Sequence, residues 1–229
     1  MNRVVAAEWL DELPPADRRA IGSRSDLRRL NFCMGNRRQM LAALRKLFPE
    51  KPPRRLAELG SGDGTFLLRL ARTLCRHWPN MEVTLVDRQP AISSAVKSGI
   101  EQCGWDATIA TVDVFDWLAT EQQFDCVIAN LFLHHFQPVP LARLLAMTAR
   151  SAGAFVACEP RRSPAGLVTG RLLWLLGCNS ITRHDAPISV RAGFRARELS
   201  SLWPPNQWQV HESRAGLFTH LFVARRVTP

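Results

Sequence analysis

AELGSGDGTF, residues 57–66, gives the clearest indication of the fold in this sequence. An apolar run of strand length, residues 54–59, ends in three glycines at alternating positions, and a segment with helical periodicity follows them. Glycine allows backbone conformations that side chains disfavour, and it lets a ligand approach the main chain closely. A strand, a glycine-rich turn and a helix in this order predict a ligand-binding edge of a parallel sheet.

The rest of the chain repeats this alternation of apolar runs and helical segments, which is typical of a doubly wound parallel α/β sheet with helices on both faces. The predicted strands are residues 54–59, 82–87, 107–112, 124–129 and 153–159, and the helical segments between them are residues 64–78, 91–104 and 139–153. Two later runs, residues 208–213 and 218–226, predict a final antiparallel hairpin. Before the sheet, residues 8–48 predict two helices separated near residues 34–36, and the proline-containing residues 49–55 predict a linker.

The net charge of +10 is unevenly distributed. Residues 1–55 carry a net +7, residues 56–150 a net −3, and residues 151–229 a net +6. Because there is no dense basic run, nucleic acid is not the favoured partner. The six cysteines show neither a C-x-x-C pair nor zinc-ligand spacing, so we expect free thiols and no structural metal.

No membrane span or targeting segment is predicted. The most apolar segment, residues 165–177, is short and contains Arg171, so we expect a helix packed on a core instead of a membrane helix. The first dozen residues contain acids and no long apolar region, which indicates neither a secretory signal nor a transit peptide. A cytoplasmic protein is therefore expected.

The second predicted strand ends in Asp87, where a carboxylate can accept hydrogen bonds from both hydroxyls of a ribose. The dinucleotide pattern requires Gly or Ala five residues after the first glycine, but Thr65 occupies that position. The residues therefore predict a nucleoside ligand without predicting a pyrophosphate.

Four motifs carry a resemblance to a known family. In chain order they are E-L-G-S-G-D-G (58–64), L-V-D (85–87), D-V-F-D (113–116) and F-D-C-V-I-A-N (124–130). Their order and intervals resemble those of class I S-adenosylmethionine-dependent methyltransferases over roughly residues 54–160. The resemblance implies a Rossmann-like seven-stranded sheet and S-adenosylmethionine as cofactor. It also implies a helical cap at residues 1–53 and a methyltransferase domain at residues 54–229, with a substrate-covering insertion at about 160–200.

The resemblance implies a role for the residues around the glycine turn. By position, Glu58 and Gly60 flank the methionine part of the cofactor, and Asn130 lines the methionine end with its backbone or its amide. Gly62 and Gly64 shape the turn.

It also implies the contacts of the nucleoside. Asp87 holds the ribose, Asp113 reaches the adenine amine, and Val114 lies beside the adenine ring. For Asp116 we expect only a helix-capping or surface role. The acidic balance of the central region suits a cofactor that carries a sulfonium and an ammonium group.

His134 and His135 in NLFLHHF, residues 130–136, follow the fourth predicted strand. Ligands bind beyond the carboxyl ends of such strands, so these histidines are expected at the mouth of the site. Because adjacent residues point in different directions on a regular element, one ring should face the pocket while the other packs or faces solvent. Either imidazole suits a general base for a phenol, and a positioning role remains the alternative.

A second candidate base is His184, which lies beside Asp185 in residues 181–194. The alternative for this polar stretch is a loop in which Asp185 caps a helix or pairs with Arg183 or Arg191.

Two arginines follow the fifth predicted strand. Arg161 and Arg162 would either hold an anionic substrate group or lie on the surface. No carboxylate and asparagine cluster of the kind used by metal-dependent catechol methyltransferases follows the fourth strand, so no metal is predicted.

The acceptor is predicted to be a small molecule. The place of the N-P-P-Y-type tetrapeptide of many nucleic-acid and protein methyltransferases holds N-L-F-L, residues 130–133. The covering segments contain apolar side chains that suit a flat or lipidic ligand, or equally a core: Trp9, Leu172, Leu173, Trp174, Leu175 and Leu176. A weaker resemblance to bacterial quinone and aromatic polyketide methyltransferases implies a phenolic oxygen. The alternatives are an RNA or protein methyltransferase, and a cofactor-binding protein with a non-methylating activity. The sequence determines neither the acceptor nor the oligomeric state.

Overall fold

The computed structural model describes residues 1–14, 16–171 and 173–227, in which an α/β sandwich contains seven strands and nine α-helices. The strands are β1 (Arg55–Leu59), β2 (Glu82–Asp87), β3 (Asp106–Thr111), β4 (Cys126–Asn130), β5 (Ala154–Pro160), β6 (Trp208–Ala215) and β7 (Thr219–Arg226). The helices are α1 (Trp9–Glu12), α2 (Arg18–Met34), α3 (Asn36–Leu47), α4 (Thr65–Leu74), α5 (Ser94–Glu101), α6 (Val114–Leu118), α7 (Pro138–Ser151), α8 (Pro164–Arg171) and α9 (Ser180–Ala192). Two 3-10 turns, Leu133–His135 and Leu173–Leu176, complete the described elements.

The strands form one sheet in the order β3-β2-β1-β4-β5-β7-β6. The first five strands are parallel, and β7 pairs antiparallel with both β5 and β6. The predicted doubly wound sheet with a final hairpin is therefore confirmed. Since the strand order reverses between β1 and β4, their carboxyl ends open a crevice at the position where such sheets bind ligands.

Two apolar cores cover the sheet, one on each face. One core joins α3, α4 and α5 to alternate residues of the strands, and the other joins α6, α7 and residues 194–203 to the remaining ones. In α4 the predicted apolar face is buried, because Leu67, Leu70, Ala71 and Leu74 recur at helical spacing and are at most 1% exposed.

The two predicted N-terminal helices are α2 and α3, which separate at Gly35 in the left-handed conformation with φ of 73°. Asn36, the first residue of α3, is completely buried. Its Nδ2 donates to Asn130 Oδ1 at 2.9 Å, and its Oδ1 accepts from Thr219 Oγ1 at 2.6 Å. These bonds fix the N-terminal helices to the end of β4 and the start of β7.

Two expectations for the segment after β5 need correction. If His184 has no catalytic role, the sequence predicts a loop at residues 181–194. Most of these residues instead belong to α9. Asn179 caps this helix by accepting the Thr182 N–H at 2.9 Å. The segment at residues 165–177 was expected to pack on a core, yet Trp174, Leu175 and Leu176 are 56–62% exposed. Leu172, named above as a covering residue, lies outside the described residues. Across the described part of the chain, every helix is too short or too polar to cross a membrane.

Candidate active site

A cavity of about 740 Å³ lies at the carboxyl edge of the sheet, between the strand ends and a cover built from α2, α8 and the turn at residues 173–176. Most of the predicted cofactor residues line its wall: Glu58, Gly60, Gly62, Asp87, Asp113, Val114 and Asn130. Gly64 is not part of the wall. His134 and His135 also line the cavity, whereas His184 does not.

The glycine turn places backbone against the cavity. Gly60 and Gly62 have φ of 67° and 55°, in the left-handed region that favours glycine. The N–H of Gly60 donates to the carbonyl of Val86 at 2.9 Å, which ties the turn to β2. A Cβ on Gly60 would lie 2.1 Å from the Phe132 ring, whereas a Cβ on Gly62 would meet no atom within 4 Å. Gly62 therefore leaves open space for a ligand beside the main chain.

Glu58 supplies an unsatisfied buried carboxyl group in the cavity wall. Its side chain is 1% exposed, and Oε2 has no hydrogen-bond partner among the described residues. Burial and the nearby carboxylates of Asp63 and Asp87 raise its pKa well above the ordinary value. A buried polar atom without a partner is costly, and a cationic ligand group would relieve this cost. The buried carboxyl group of Glu58 therefore fits a ligand that carries positive charge.

The end of β2 presents Asp87 in a fixed orientation. Its Oδ2 accepts the Gly62 N–H at 2.8 Å and its Oδ1 accepts the Gln89 N–H at 2.9 Å. Burial raises the pKa of Asp87, and these two backbone donors oppose the shift. The carboxylate thus links the glycine turn to β2 at the cavity wall, where a ribose is expected.

The remaining predicted cofactor residues lie around the same cavity. Asp113 is exposed and caps α6 by accepting the Phe115 N–H at 2.8 Å, and Val114 beside it is 7% exposed. The side chain of Asn130 is engaged, because its Nδ2 donates to Asn31 Oδ1 at 3.1 Å. Its amide therefore helps to hold the N-terminal helices, which the motif alone did not indicate.

His134 lies between two carboxylates. Its Nδ1 is 2.8 Å from Glu159 Oε2, and its Nε2 is 3.5 Å from Glu8 Oε1. Burial lowers the pKa of His134, but the hydrogen bonds with Glu159 and Glu8 outweigh this effect and raise it to about 9. At neutral pH the ring is an imidazolium, which has no lone pair with which to accept a proton.

Glu159 organises the loop that carries both histidines. Its side chain is 0% exposed, and its Oε1 accepts the backbone N–H groups of Phe132 and Leu133 at 3.0 and 2.9 Å. Sequence reasoning missed this residue. The only available signal was an acid near the end of an otherwise apolar strand, where a buried carboxylate requires donors.

His135 is the more accessible histidine. Its side chain is 26% exposed, and its Nδ1 is 3.0 Å from Asp11 Oδ2. The two histidine rings lie side by side with centroids 4.2 Å apart, and both line the cavity. The 3-10 turn at Leu133–His135 accounts for this, because the backbone there is not a regular strand or α-helix. Sequence analysis gave no signal for Asp11, which the N-terminal segment supplies from far along the chain.

His184 occupies a different environment. Its ring stacks on Trp9 with centroids 3.6 Å apart, and its Nδ1 is 2.8 Å from Asp185 Oδ1. Asp185 also accepts the backbone N–H groups of Trp9 and Leu10, both at 3.0 Å. The pair therefore anchors the start of α1 to α9.

The two arginines after β5 differ in their surroundings. Arg162 is 4% exposed, pairs with Glu198, and donates to the carbonyls of Met1 and Gly193. Arg161 is half-buried in the cavity wall. Of the two, only Arg161 is placed to contact a ligand.

One cluster has the composition of a metal site. Glu8, His134 and His135 each bring a potential ligand atom, and these atoms lie within 4.8 Å of one another. His134 Nε2 and Glu8 already face each other as an ion pair. That the protein uses no metal stays a prediction, and removal of metal ions with a chelator would test it.

The strand order and the glycine turn give the chain a Rossmann-like methyltransferase fold, with an acid at the end of β2. Residues 56–152 match the family model described as a methyltransferase domain. The matched residues run from β1 to α7, and this part of the chain resembles a methyltransferase domain. A search among curated proteins found no match.

Solved structures show the same fold over nearly the whole chain. The plantazolicin methyltransferase BamL, in complex with a desmethylPZN analog and SAH, is 11% identical with a TM-score of 0.66, covering 94% of this chain and 92% of its own. The magnesium protoporphyrin IX methyltransferase from Synechocystis PCC 6803, with bound SAH, is 14% identical with a TM-score of 0.56, covering 84% and 82%. An O-methyltransferase family protein from Burkholderia thailandensis is 17% identical with a TM-score of 0.61, covering 93% and 61%. At these identities the similarity concerns the fold.

Proposed function

We propose that the protein binds S-adenosylmethionine in the 740 Å³ cavity and methylates a phenolic or quinol oxygen of a small apolar acceptor. One observation carries this proposal. The same cavity joins a glycine-lined wall with the unsatisfied Glu58 carboxyl to a histidine, His135, whose Nδ1 is held by Asp11.

The cofactor residues are those of the glycine turn and the strand ends. Asp87 would hold the ribose and Asp113 the adenine amine, while Glu58 and Asn130 lie at the end assigned to the methionine part. When bound, S-adenosylmethionine supplies a methyl group activated by its positively charged sulfur. A positively charged ligand group beside Glu58 would offset the burial that raises the pKa of this carboxyl group and would favour its ionised form.

His135 is proposed as the general base. Because Nδ1 faces Asp11, Nε2 is the ring nitrogen left to accept a proton. Nε2 would take the proton of an acceptor hydroxyl as the new O–C bond forms, and the proton would then pass to solvent through the exposed part of the ring. His134 would instead position the loop, since its protonated ring is held by Glu8 and Glu159.

The acceptor half of the cavity supports an aromatic or lipid-like molecule. Its wall includes Phe132, Phe136, Leu173, Leu175 and Leu176. Apolar and aromatic walls with few polar groups are typical of sites for flat or hydrophobic ligands. Structural neighbours are named as methyltransferases of plantazolicin and of magnesium protoporphyrin IX.

Replacing His135 with glutamine should lower kcat about a hundredfold while the affinity for S-adenosylmethionine stays near that of the wild type. Glutamine retains polar character but cannot take the proton. Steady-state kinetics with phenolic and quinol acceptors, together with calorimetric titration of the cofactor, measure both quantities. His184→Gln is the matched control, because His184 lies outside the cavity wall. Equal rates for the wild type and His135→Gln would remove the base assignment and leave proximity and orientation as the source of catalysis.

Replacing Asp87 with alanine should weaken S-adenosylmethionine and S-adenosylhomocysteine binding by roughly 10- to 100-fold. The loss of one hydrogen bond to a charged group, about 1.5–3 kcal/mol, corresponds to this range. The substitution also releases the Gly62 N–H. Calorimetric titration of both ligands tests this, with the exposed Asp116→Ala as control. Unchanged affinity in Asp87→Ala would remove the ribose assignment.

Treatment with a chelator such as EDTA should leave turnover unchanged. The ligand atoms of Glu8 and His134 already contact each other, and His135 is paired with Asp11. Activity assays before and after dialysis against the chelator, with metal analysis of the protein, provide the measurement. Activity that disappears on chelation and returns with Zn²⁺ or Mn²⁺ would place a metal at Glu8, His134 and His135.

A further inference from the structure

The turn at Leu173–Leu176 exposes three consecutive apolar side chains at the rim of the cavity. Trp174, Leu175 and Leu176 are 58%, 62% and 56% exposed, and we call these three residues the apolar tip. Phe32 of α2, which is 76% exposed, lies near it, since Phe32 and Leu176 line the same groove. Exposed apolar groups that cluster around a cavity mouth are typical of an interaction surface.

The groove beside the apolar tip is rich in arginine. It is lined by Arg28, Arg29, Arg37, Arg69 and Arg72, and no acidic residue of the described chain lines it. Arg28 pairs with Asp63 and Arg29 with Asp26, and both acids lie outside the groove wall.

Three of these arginines retain unneutralised charge. Within the described ranges, Arg37, Arg69 and Arg72 form no ion pair, although Arg37 contacts the hydroxyl of Thr73 at 3.3 Å. The groove, which we call the arginine groove, therefore presents positive charge next to exposed apolar side chains.

The arginine groove adjoins the main cavity. Arg28, Leu30, Cys33 and Leu176 line both spaces, and Leu175 of the apolar tip also lines the main cavity. A molecule bound at this rim is therefore next to the entrance of the proposed acceptor site.

We propose that the apolar tip, Phe32 and the arginine groove form a docking surface for a membrane that contains anionic phospholipids. Trp174, Leu175, Leu176 and Phe32 would enter the boundary between headgroups and acyl chains, where tryptophan is favoured. Arg37, Arg69 and Arg72 would contact the lipid phosphates. The protein lies on the surface in this arrangement and does not cross the bilayer.

Charge complementarity selects this partner. Basic residues beside exposed apolar groups bind anionic membrane surfaces through both interactions at once. A second copy of the chain that used the same face would bring two sets of arginines together, which charge repulsion disfavours. This inference does not depend on which acceptor is methylated.

The first test is flotation of the protein with vesicles of phosphatidylcholine, with or without phosphatidylserine. We expect binding to vesicles that contain phosphatidylserine, reduced binding to phosphatidylcholine alone, and release at high salt. The combined Arg37→Gln, Arg69→Gln and Arg72→Gln variant should partition on the order of a hundredfold less, because each arginine near the surface contributes about 1 kcal/mol.

A matched control removes the same charge elsewhere. The exposed Arg76, Arg150 and Arg197, each changed to Gln, lower the net charge equally and should retain nearly full vesicle binding. Equal losses in the two triple variants would show an effect of net charge alone and would overturn the assigned surface.

The apolar part of the surface is tested with Phe32→Ser combined with Trp174→Ser. This variant should lose roughly tenfold or more of the vesicle binding, because it removes two large apolar groups from the proposed contact. Val139→Ser is the control, since Val139 is 81% exposed on α7 and belongs to neither the tip nor the groove. Unchanged vesicle binding in the double variant would overturn the insertion of the tip.

Other partners give distinct results that overturn the proposal. Failure of the wild type to bind vesicles with phosphatidylserine rejects a membrane. A concentration-dependent dimer that the Phe32 and Trp174 variant abolishes would assign the surface to a second copy, and salt-sensitive retention on RNA without vesicle binding would assign it to nucleic acid. Calorimetric titration with S-adenosylmethionine is run on every variant. If the wild type does not bind S-adenosylmethionine, the proposed function is wrong, but the vesicle result still tests the membrane proposal.

Discussion

Replacing His134 with alanine is expected to lower the free energy of unfolding by about 3–5 kcal/mol, the range found when one partner of a buried ion pair is removed. The imidazolium is 3% exposed and lies between Glu159, which is 0% exposed, and Glu8, which is 8% exposed. Without it, Glu159 keeps its backbone donors but loses the imidazolium, and Glu8 keeps the hydrogen bond from the Ser189 hydroxyl. Urea unfolding at neutral pH measures the loss.

The stability of the wild type should also depend on pH through this group. The pKa of His134 is about 9 in the folded protein, against an ordinary value of about 6.5. A raised pKa contributes stability that is fully present below about pH 6.5 and is lost as the pH rises through about 9. The loss should be on the order of 3 kcal/mol. His134→Ala should show no such decline over this range.

The control for His134 is His184→Ala. His184 also contacts a carboxylate, but its side chain is 33% exposed, so the expected loss is within about 1 kcal/mol. Glu8 gives a check at the acidic end, because its pKa is lowered: burial raises it, but the hydrogen bond and charge of His134 outweigh burial. Its contribution should be present above about its ordinary pKa of 4.5 and disappear as the pH falls through the lower folded value. A loss below about 1 kcal/mol in His134→Ala would show that the two acids need no cation.

Gly60→Ala is expected to abolish measurable cofactor binding and to destabilise the protein by about 2–5 kcal/mol. A left-handed backbone costs a non-glycine residue about 1–2 kcal/mol, and overpacking adds about 1–3 kcal/mol. The added methyl would lie 2.1 Å from Phe132 Cδ2, and Phe132 itself packs on Phe136 with ring centroids 5.1 Å apart. Either the ring or the turn must move, and both form the cavity wall.

Gly104→Ala separates the two contributions. Gly104 has a similar φ of 78°, and a Cβ there would meet no atom within 4 Å. We expect a loss of about 1 kcal/mol and unchanged cofactor affinity, measured by urea unfolding and calorimetric titration. Equal effects of the two substitutions would mean that the contact between Gly60 and Phe132 is unimportant and that only backbone strain matters.

Local sequence patterns predict the sheet, the glycine turn and the position of Asp87. These features depend on short-range signals, because strand and helix periodicity and the conformational freedom of Gly60 and Gly62 act over a few residues. The parallel sheet then brings the ends of its strands to one edge by geometry alone. A nucleoside-binding edge was therefore predictable before any contact was known.

Only the tertiary structure distinguished the two adjacent histidines. Their local sequences are nearly the same, but His134 receives Glu159 from β5 and Glu8 from the N-terminal segment, whereas His135 receives Asp11 and remains partly exposed. A protonation state depends on burial and on charges within a few ångströms, which the order of residues does not specify. The exposure of Trp174 was likewise decided by packing, because an apolar residue is compatible in sequence with either a core or a surface.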